Sequence, residues 1–495
     1  MPGREVKLVV GDGFVVPDLD GAVPGARVGP AGERSIRDVY YDTTGFRLAR
    51  WGCALRFRAG VGWVVKIPVP DSGRVLSRQE ITYDAAPGRP PPRALALVRS
   101  LTRGEAVEEV ACFTTTRFAR TWETPAGEVV VELADDRVQV ELPDGGCQSW
   151  RELEVELAPR AKRSMLTGIV YRLESAGARP GSPGPKLVHA VGEAAAAPPD
   201  VTEPTLPDEP TARQVIQAAF ARSVTHLLLH VPVARIGEDI EGVHQARVAT
   251  RRLRSDLGTF RSLLDPDWAR SLESELEWLA DDLGKVRDAD VLLRLLRRTA
   301  GNHPELGGVG AGRVVKALEK QRHGDNRALM YHLNRKRTDR LLDRLVAAAA
   351  DPMTSKKADA PAVGKLRAPV RKRWRHLQRA VDALGPEPPI EELHRIRILA
   401  KRTRYAAEAV VPAFGPRAKA FAKSIAGIQD VLGELNDAAV AESWLAALSK
   451  GADGPTGFAA GRLTQMITND AAQFRHGWEK HYRKAGRKKY QAWLQ

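Results

Sequence analysis

Charged residues recur at alternate positions in several short β-branched runs of this chain, and their signs suit an anion carrying several phosphates. Arg56 and Arg58 share one face of Leu55-Arg56-Phe57-Arg58, Glu154 and Glu156 one face of Leu153-Glu154-Val155-Glu156-Leu157, and Glu5 a face with Lys7. Successive side chains on a strand alternate between its two sides, so each run offers a charged pair. Guanidinium and ammonium groups neutralise phosphate oxygens, while clustered carboxylates hold a divalent cation that polarises a phosphoryl group or a water. For any single strand, the solvated outer face of a sandwich is the alternative. Several strands that each bring a pair, some basic and some acidic, suit the polar interior of a barrel instead.

A second constellation lies downstream and repeats. His244-Gln245-Ala246-Arg247-Val248-Ala249-Thr250-Arg251-Arg252-Leu253-Arg254 matches His394-Arg395-Ile396-Arg397-Ile398-Leu399-Ala400-Lys401-Arg402-Thr403-Arg404, and a Leu-Gly-x-x-x-Asp-Ala segment follows each histidine by 39 and 38 residues, at Leu283 and Leu432. A duplicated helical unit that pairs into a pseudo-symmetric bundle explains this agreement. On a helix, offsets of 0, 3, 7 and 10 fall within roughly 80° of arc, so His244, Arg247, Arg251 and Arg254 form one stripe and His394, Arg397, Lys401 and Arg404 another. A basic helix face is ordinarily just solvated. Like charges at these spacings repel, so gathering them in both copies costs stability unless an anion offsets it. The histidines add charge below about pH 6.5, and Lys316, Lys320, Arg322, Arg371, Arg373 and Arg375 extend the path. Asp288 and Asp437 in the repeated segments are expected to cap or pair near a helix junction.

The elements that position these residues follow from composition. At 495 residues the chain is too long for one ordinary core, and two domains is the simplest reading. Residues 1–200 hold 26 basic and 26 acidic side chains, so the whole net charge of +15 lies after Asp200 and implies a polyanionic partner. Gly177 to Thr211 is rich in Pro, Gly and Ala and reads as linker chemistry. Before it lie alternating runs, among them Val6–Val10, Val64–Ile67 and Val129–Leu133, which predict antiparallel strands. After it, long segments of helical period are bounded near Pro266, Gly301, Pro352, Pro386 and Pro412–Pro416. The fold class predicted is therefore α+β in two domains, with β structure first and an all-α bundle second. Cys53, Cys112 and Cys147 show neither metal-ligand nor disulfide spacing. No apolar run approaches membrane-span length, and Met1–Val10 has no signal-peptide core, so a cytoplasmic location is expected. Nucleic acid is disfavoured as the partner because the stripes carry almost no aromatic residue for base stacking, Tyr405 alone excepted. A membrane surface is disfavoured because no exposed Trp or Phe face opposes them.

The order Glu5-Val6-Lys7, Tyr41-Asp42-Thr43, Leu55-Arg56-Phe57-Arg58, Trp63-Val64-Val65-Lys66-Ile67-Pro68, Arg78-Gln79-Glu80, Arg117, Glu132-Leu133-Ala134-Asp135-Asp136 and Glu152 to Leu157 resembles the CYTH domain of the triphosphate tunnel metalloenzymes. The resemblance implies an eight-stranded antiparallel tunnel over residues 1–191. Lys7, Arg56, Arg58, Lys66, Arg78 and Arg117 would grip phosphates, with Arg56, Arg58 and Lys66 the catalytic set. Glu5, Glu80, Glu132, Asp135, Glu154 and Glu156 would face Mg²⁺ or Mn²⁺. The reactions it implies are hydrolysis of inorganic or thiamine triphosphate, or cyclisation of ATP, and inorganic triphosphate is the expected substrate. The family's opening Glu-x-Glu-x-Lys is here Gly3-Arg4-Glu5-Val6-Lys7, one carboxylate short. That leaves a second reading open, a polyphosphate-binding or localising protein whose tunnel has lost turnover. The histidine frame resembles the CHAD domain, a helical module that binds inorganic polyphosphate, over residues 211–490, with 192–210 as linker. Polyphosphate granules are where such a protein would collect.

Overall fold

The computed structural model describes residues 5–158, 161–162, 164–181, 185–237, 240–303 and 308–495 apart from 71–75, without the side chains of 69–70 and 76–78. The chain divides into two compact units, Met1–Asp200 and Val201–Gln495.

The first unit is built on one antiparallel sheet. Its strands are β1 (Glu5–Val10), β2 (Arg27–Asp42), β3 (Ala54–Arg58), β4 (Gly62–Pro70), β5 (Leu76–Tyr83), β6 (Glu108–Glu123), β7 (Val129–Glu141), β8 (Cys147–Leu157) and β9 (Arg179–Pro180), in the order β5-β4-β3-β2-β6-β7-β8-β1-β9. Nine described strands replace the eight expected; the extra one is the two-residue β9, which pairs with Val9 and Leu8 of β1. Among the described residues five small helices accompany the sheet, α1 (Arg47–Arg50), α2 (Pro92–Thr102), α3 (Ser164–Ser175), α4 (Lys186–Val191) and α5 (Glu193–Ala196).

Alternation decides what each face does. Leu8, Leu133, Leu153, Val155 and Leu157 turn to one side and bury against Leu166, Ile169 and Leu173 of α3. Each such side chain contributes roughly 1.5–3 kcal/mol on burial, which fixes the register, and a slip of one residue would turn the charged set into this core. On the other face, at one end, Tyr40, Phe113, Val138 and Val140 pack against Leu187, Ala190 and Ala195 of α4 and α5. Segment 192–210, predicted as linker, therefore begins inside the first unit: Ala195 is buried, and the Asp200 carboxylate accepts from the Trp51 indole and from Arg103. Between Tyr41 and Thr43 of the quoted motif, Asp42 is buried and accepts from the backbone N–H groups of Thr43, Leu48 and Ala49, which tethers α1 to the end of β2.

The second unit is helical, as composition predicts. It comprises α6 (Ala212–Ile236), α7 (Ile240–Phe260), α8 (Pro266–Asn302), α9 (Val309–Leu333), α10 (Lys336–Ala350), α11 (Ala362–Asp382), α12 (Ile390–Ala409), α13 (Val411–Ser449), α14 (Gly454–Ala472), α15 (Glu479–Ala485) and α16 (Lys488–Gln491). Local signals set several boundaries. Thr211 and Gln214 form a reciprocal capping box at the start of α6, and Asp265 caps α8 with Pro266 at its first position. The break predicted at Pro412–Pro416 survives only as a kink, because Gly415 adopts φ 59 and ψ −142 inside α13. The duplication is visible as pairing: α6 touches α11, α7 touches α12, α8 touches α13 and α9 touches α14. The unit continues past 490, where Trp493 and Leu494 are buried.

Candidate functional site

The charged face of the sheet lines a cavity of about 540 Å³ to which β1, β2, β3, β4, β5, β6 and β8 all contribute. Lys7, Arg56, Arg58, Lys66 and Arg117 point into it together with Glu5, Glu80, Glu154 and Glu156. Alternation puts them there, since their neighbours Leu8, Leu55 and Val155 belong to the buried side.

Each of these cations meets a carboxylate. Lys7 lies 3.1 Å from Glu154 and 3.5 Å from Glu5, and Lys66 lies 2.9 Å from Glu80. Arg58 donates a fork to Asp38 at 2.8 and 2.7 Å, and Arg56 lies 3.3 Å from the same carboxylate while donating to the Tyr40 hydroxyl at 2.9 Å. Arg117 donates a fork to Asp136 at 2.7 and 2.6 Å and reaches Glu154 at 2.5 Å. Burial alone would raise the Glu154 carboxyl, but Lys186, Lys7 and Arg117 overcome it and hold it at about 2. Lys66 and Glu80 are the most exposed of these pairs, so Lys66 is the cation freest to change partners.

The carboxylates fall into two groups. Asp136, Glu152 and Glu154 place ligand atoms within 4.8 Å of one another, yet Lys186 and Arg117 already hold Asp136, and Lys186 lies 3.1 Å from Glu152. Glu5, Glu156 and Glu132 stand in direct cross-strand register on β1, β8 and β7. Like charges directly opposite one another destabilise a sheet. Burial pushes the Glu156 carboxyl up, and Glu5 and Glu132 push it further. A hard cation with oxygen ligands would relieve that repulsion; Glu5 lies 3.5 Å from Lys7 and Glu132 3.7 Å from Arg34, and the three described carboxylates whose ligand atoms converge are those of Asp136, Glu152 and Glu154.

Asp135 needs correction. Expected among the metal-facing acids, it stands on the opposite face, where Arg151 donates a fork to it at 2.8 and 2.6 Å. Asp136 occupies the cavity face, being in phase with Glu132. Counting by twos from Glu132 would have found it, and counting from Glu154 and Glu156 would have found Glu152. Asp38 and Lys186 carried no such signal; Lys186 is placed by α4, whose Leu187 packs against Tyr40 and Phe113. The side chain of Arg78 and the whole of Gly3 lie outside the described residues.

The helical stripes meet. Arg251 of α7 donates to the Tyr405 hydroxyl of α12 at 2.8 Å, and Arg252 reaches Glu408 at 3.0 Å. The Tyr405 ring lies beneath the guanidinium groups of Arg251, Arg252 and Arg404 at 5.4, 5.7 and 4.9 Å, a role in seating cations rather than bases. Burial, followed by Arg397, Arg251, Arg247 and Arg404, drives the Lys401 ammonium down to about 7. Burial likewise lowers Arg251, Arg397 and His244. At the margins Arg254 pairs with Glu277 at 2.6 Å, Arg404 with Glu408 at 3.5 Å, and His394 meets the Asn436 side chain at 2.5 Å.

Asp288 and Asp437 do not cap helices: the Leu-Gly-x-x-x-Asp-Ala segments lie in mid-helix, inside α8 and α13. Asp288 pairs with Arg247 at 3.3 Å, and burial raises the Asp437 carboxyl. Of the further basic residues, Arg322 pairs with Asp290 at 2.5 Å and Arg371 donates to a backbone carbonyl, whereas Arg373 lines a cavity beside Arg251 and Lys401. Among the described residues no helix is long and apolar enough to cross a membrane.

Comparison with known proteins agrees with this division. The CYTH domain matches residues 1–171 and the CHAD domain residues 218–446. An uncharacterized protein of Mycobacterium tuberculosis, Rv2226, is 31% identical over 512 residues, covering 97% of this chain and 95% of the relative. A second protein of that species, MT2285, is 30% identical over the same coverage. Among solved structures, PptA from Streptomyces chartreusis aligns with a TM-score of 0.45 at 22% identity, over 55% of this chain and 99% of that one. The CHAD domain of the plant Ricinus communis aligns with a TM-score of 0.43 at 23% identity, over 59% and 95%. Likenesses at that level carry no functional weight.

Proposed function

Because the chain belongs to the family in which a CYTH domain is followed by a CHAD domain, we propose that it binds inorganic polyphosphate through the helical unit and hydrolyses inorganic triphosphate in the sheet cavity with Mg²⁺ or Mn²⁺. The observation that carries the enzymatic half is the Glu5–Glu156–Glu132 row facing Lys7, Arg56, Arg58, Lys66 and Arg117. A divalent ion held by that row would neutralise phosphate charge and polarise a phosphoryl oxygen or a water. Lys66, loosely paired, would turn from Glu80 to the phosphate chain. Arg56 and Arg58, fixed by their shared Asp38, would present donors already oriented, which lowers the ordering cost of binding. Arg117 and Lys7 hold Glu154 ionised and so set the back wall of the site. Glu5 and Glu156 persist although the family's first glutamate is replaced by Gly3. In the helical unit the crowding of Arg397, Arg251, Arg247 and Arg404 on Lys401 supports polyanion binding, because of these cations Asp288 and Glu408 pair only with Arg247 and Arg404 at the margin, and a linear polyphosphate would relieve the repulsion left at Lys401.

Phosphate release from inorganic triphosphate, measured with and without Mg²⁺ or Mn²⁺ on the native protein and on Lys66→Ala, tests the tunnel. Metal-dependent release that disappears in the variant is the expected result. Absent release with polyphosphate still bound would leave a binding or localising protein with a degenerate tunnel.

A further inference from the structure

The helical unit carries a basic groove that its internal duplication does not repeat. α11 and α12 run side by side, and two cavities of about 810 and 340 Å³ lie end to end along them, sharing His376 in their walls. On α11, Lys372, Arg373, His376 and Arg379 line these cavities at spacings that share a helix face. On α12, Arg395, Lys401 and Arg402 line them. None of these seven makes an ion pair with a described carboxylate; Glu273 in the first cavity is held by Arg261 at 2.8 Å, and Glu392 stands in the second. The counterpart helix α6 differs, since its Arg213 and Arg222 are paired with Asp359 and Glu203.

A second observation comes from α7, across the first cavity. A Cβ at Gly258 would stand 2.9 Å from a guanidinium nitrogen of Arg373 and near no other atom. Glycine in a helix costs roughly 0.5–1 kcal/mol relative to alanine, and here its missing side chain leaves room for that guanidinium inside the cavity.

We propose that the α11–α12 groove is a one-sided anion track, along which a linear polyphosphate long enough to pass Arg251 and Lys401 continues over Arg373, His376, Arg379 and Arg395. The track rests on the reading of the helical unit as a polyphosphate binder, and it gives that unit a preference for chain length. Tripolyphosphate is too short to span both cavities and gains little from it.

Titration of the full-length protein with long-chain sodium polyphosphate and with tripolyphosphate, at one fixed salt concentration, tests this; every arm carries Arg56→Ala/Lys66→Ala and contains EDTA, so that the sheet cavity neither holds nor hydrolyses tripolyphosphate and the signal comes from the helical unit. The triple variant Arg373→Ala/Arg379→Ala/Arg395→Ala is expected to bind the long chain about tenfold more weakly and tripolyphosphate nearly unchanged, with native circular dichroism. Gly258→Ala, which raises helix propensity and displaces only the Arg373 head group, is expected to weaken the long chain about threefold. By contrast Arg247→Ala/Arg397→Ala should weaken both ligands. Unchanged long-chain affinity in the triple variant and in Gly258→Ala overturns the track, as does an equal loss for both ligands in the triple variant. If the native protein binds no polyphosphate, the underlying reading fails first, before any variant is compared.

Discussion

The two units handle positive charge in opposite ways. In the sheet cavity Lys7, Arg58, Lys66 and Arg117 each meet a carboxylate at 3.1 Å or less, whereas around Lys401 arginines face one another. A prepaired cavity holds its side chains in place without ligand and discriminates by geometry, because an incoming phosphate must match a fixed set of donors. A self-repelling surface stores unfavourable energy that any sufficiently long polyanion releases, so it discriminates by charge and length. On the function proposed above, one chain would thereby join a site for a short, defined substrate with a surface for a long, flexible one.

Removing a cation should therefore have opposite consequences in the two places. Arg117→Ala leaves fully buried Asp136 with Lys186 as its remaining described cation and should cost about 3 kcal/mol, read by denaturant unfolding of the first unit. Lys66→Ala, at an exposed pair, should leave stability nearly unchanged while lowering phosphate release on the order of 100-fold, equivalent to about 2.7 kcal/mol. Glu156→Gln breaks the acidic row: Mn²⁺ affinity, followed by the ion's paramagnetic resonance, should fall at least about tenfold, and the metal-free protein should become slightly more stable.

The pH dependence separates the units further. Lys401 has a folded pKa of about 7, below its ordinary 10.5, so the free protein releases a proton above pH 7. A bound polyanion favours the charged ammonium, hence binding should take up a proton between pH 7 and 10 and weaken as pH rises, by at most about tenfold per unit. Titrations in buffers of different ionisation enthalpy would reveal the uptake. Glu154, depressed from 4.5 to about 2, acts with the other sign. Its contribution to stability is present above pH 4.5 and is lost as pH falls towards 2. The smallest effect expected is Lys401→Met, which removes a repelled charge and should leave stability unchanged or raise it by less than about 1 kcal/mol, with polyphosphate binding weakened. A large destabilisation there would erase the contrast.

Much of this was determined by sequence alone. Period-two alternation placed Glu5, Lys7, Arg56, Arg58, Glu154 and Glu156 on one face, and the repeated histidine frame identified both stripes, because these patterns depend only on local backbone geometry. Composition separated a neutral β unit from a basic helical one for the same reason. Tertiary structure decided which partners those residues meet. That Asp136 rather than Asp135 faces the cavity was legible by counting in twos from Glu132; tertiary structure decided that Arg117 and Lys186 meet it there. Lys186 reaches the acidic cluster from a helix outside the sheet. The Asp288 and Asp437 segments, which look like turns, run through the middle of helices because long-range packing of α8 and α13 outweighs the glycine in each. The approach of α7 to α12, which turns two ordinary basic faces into one crowded surface, depends on contacts between residues some 150 positions apart in the chain; no local pattern encodes them.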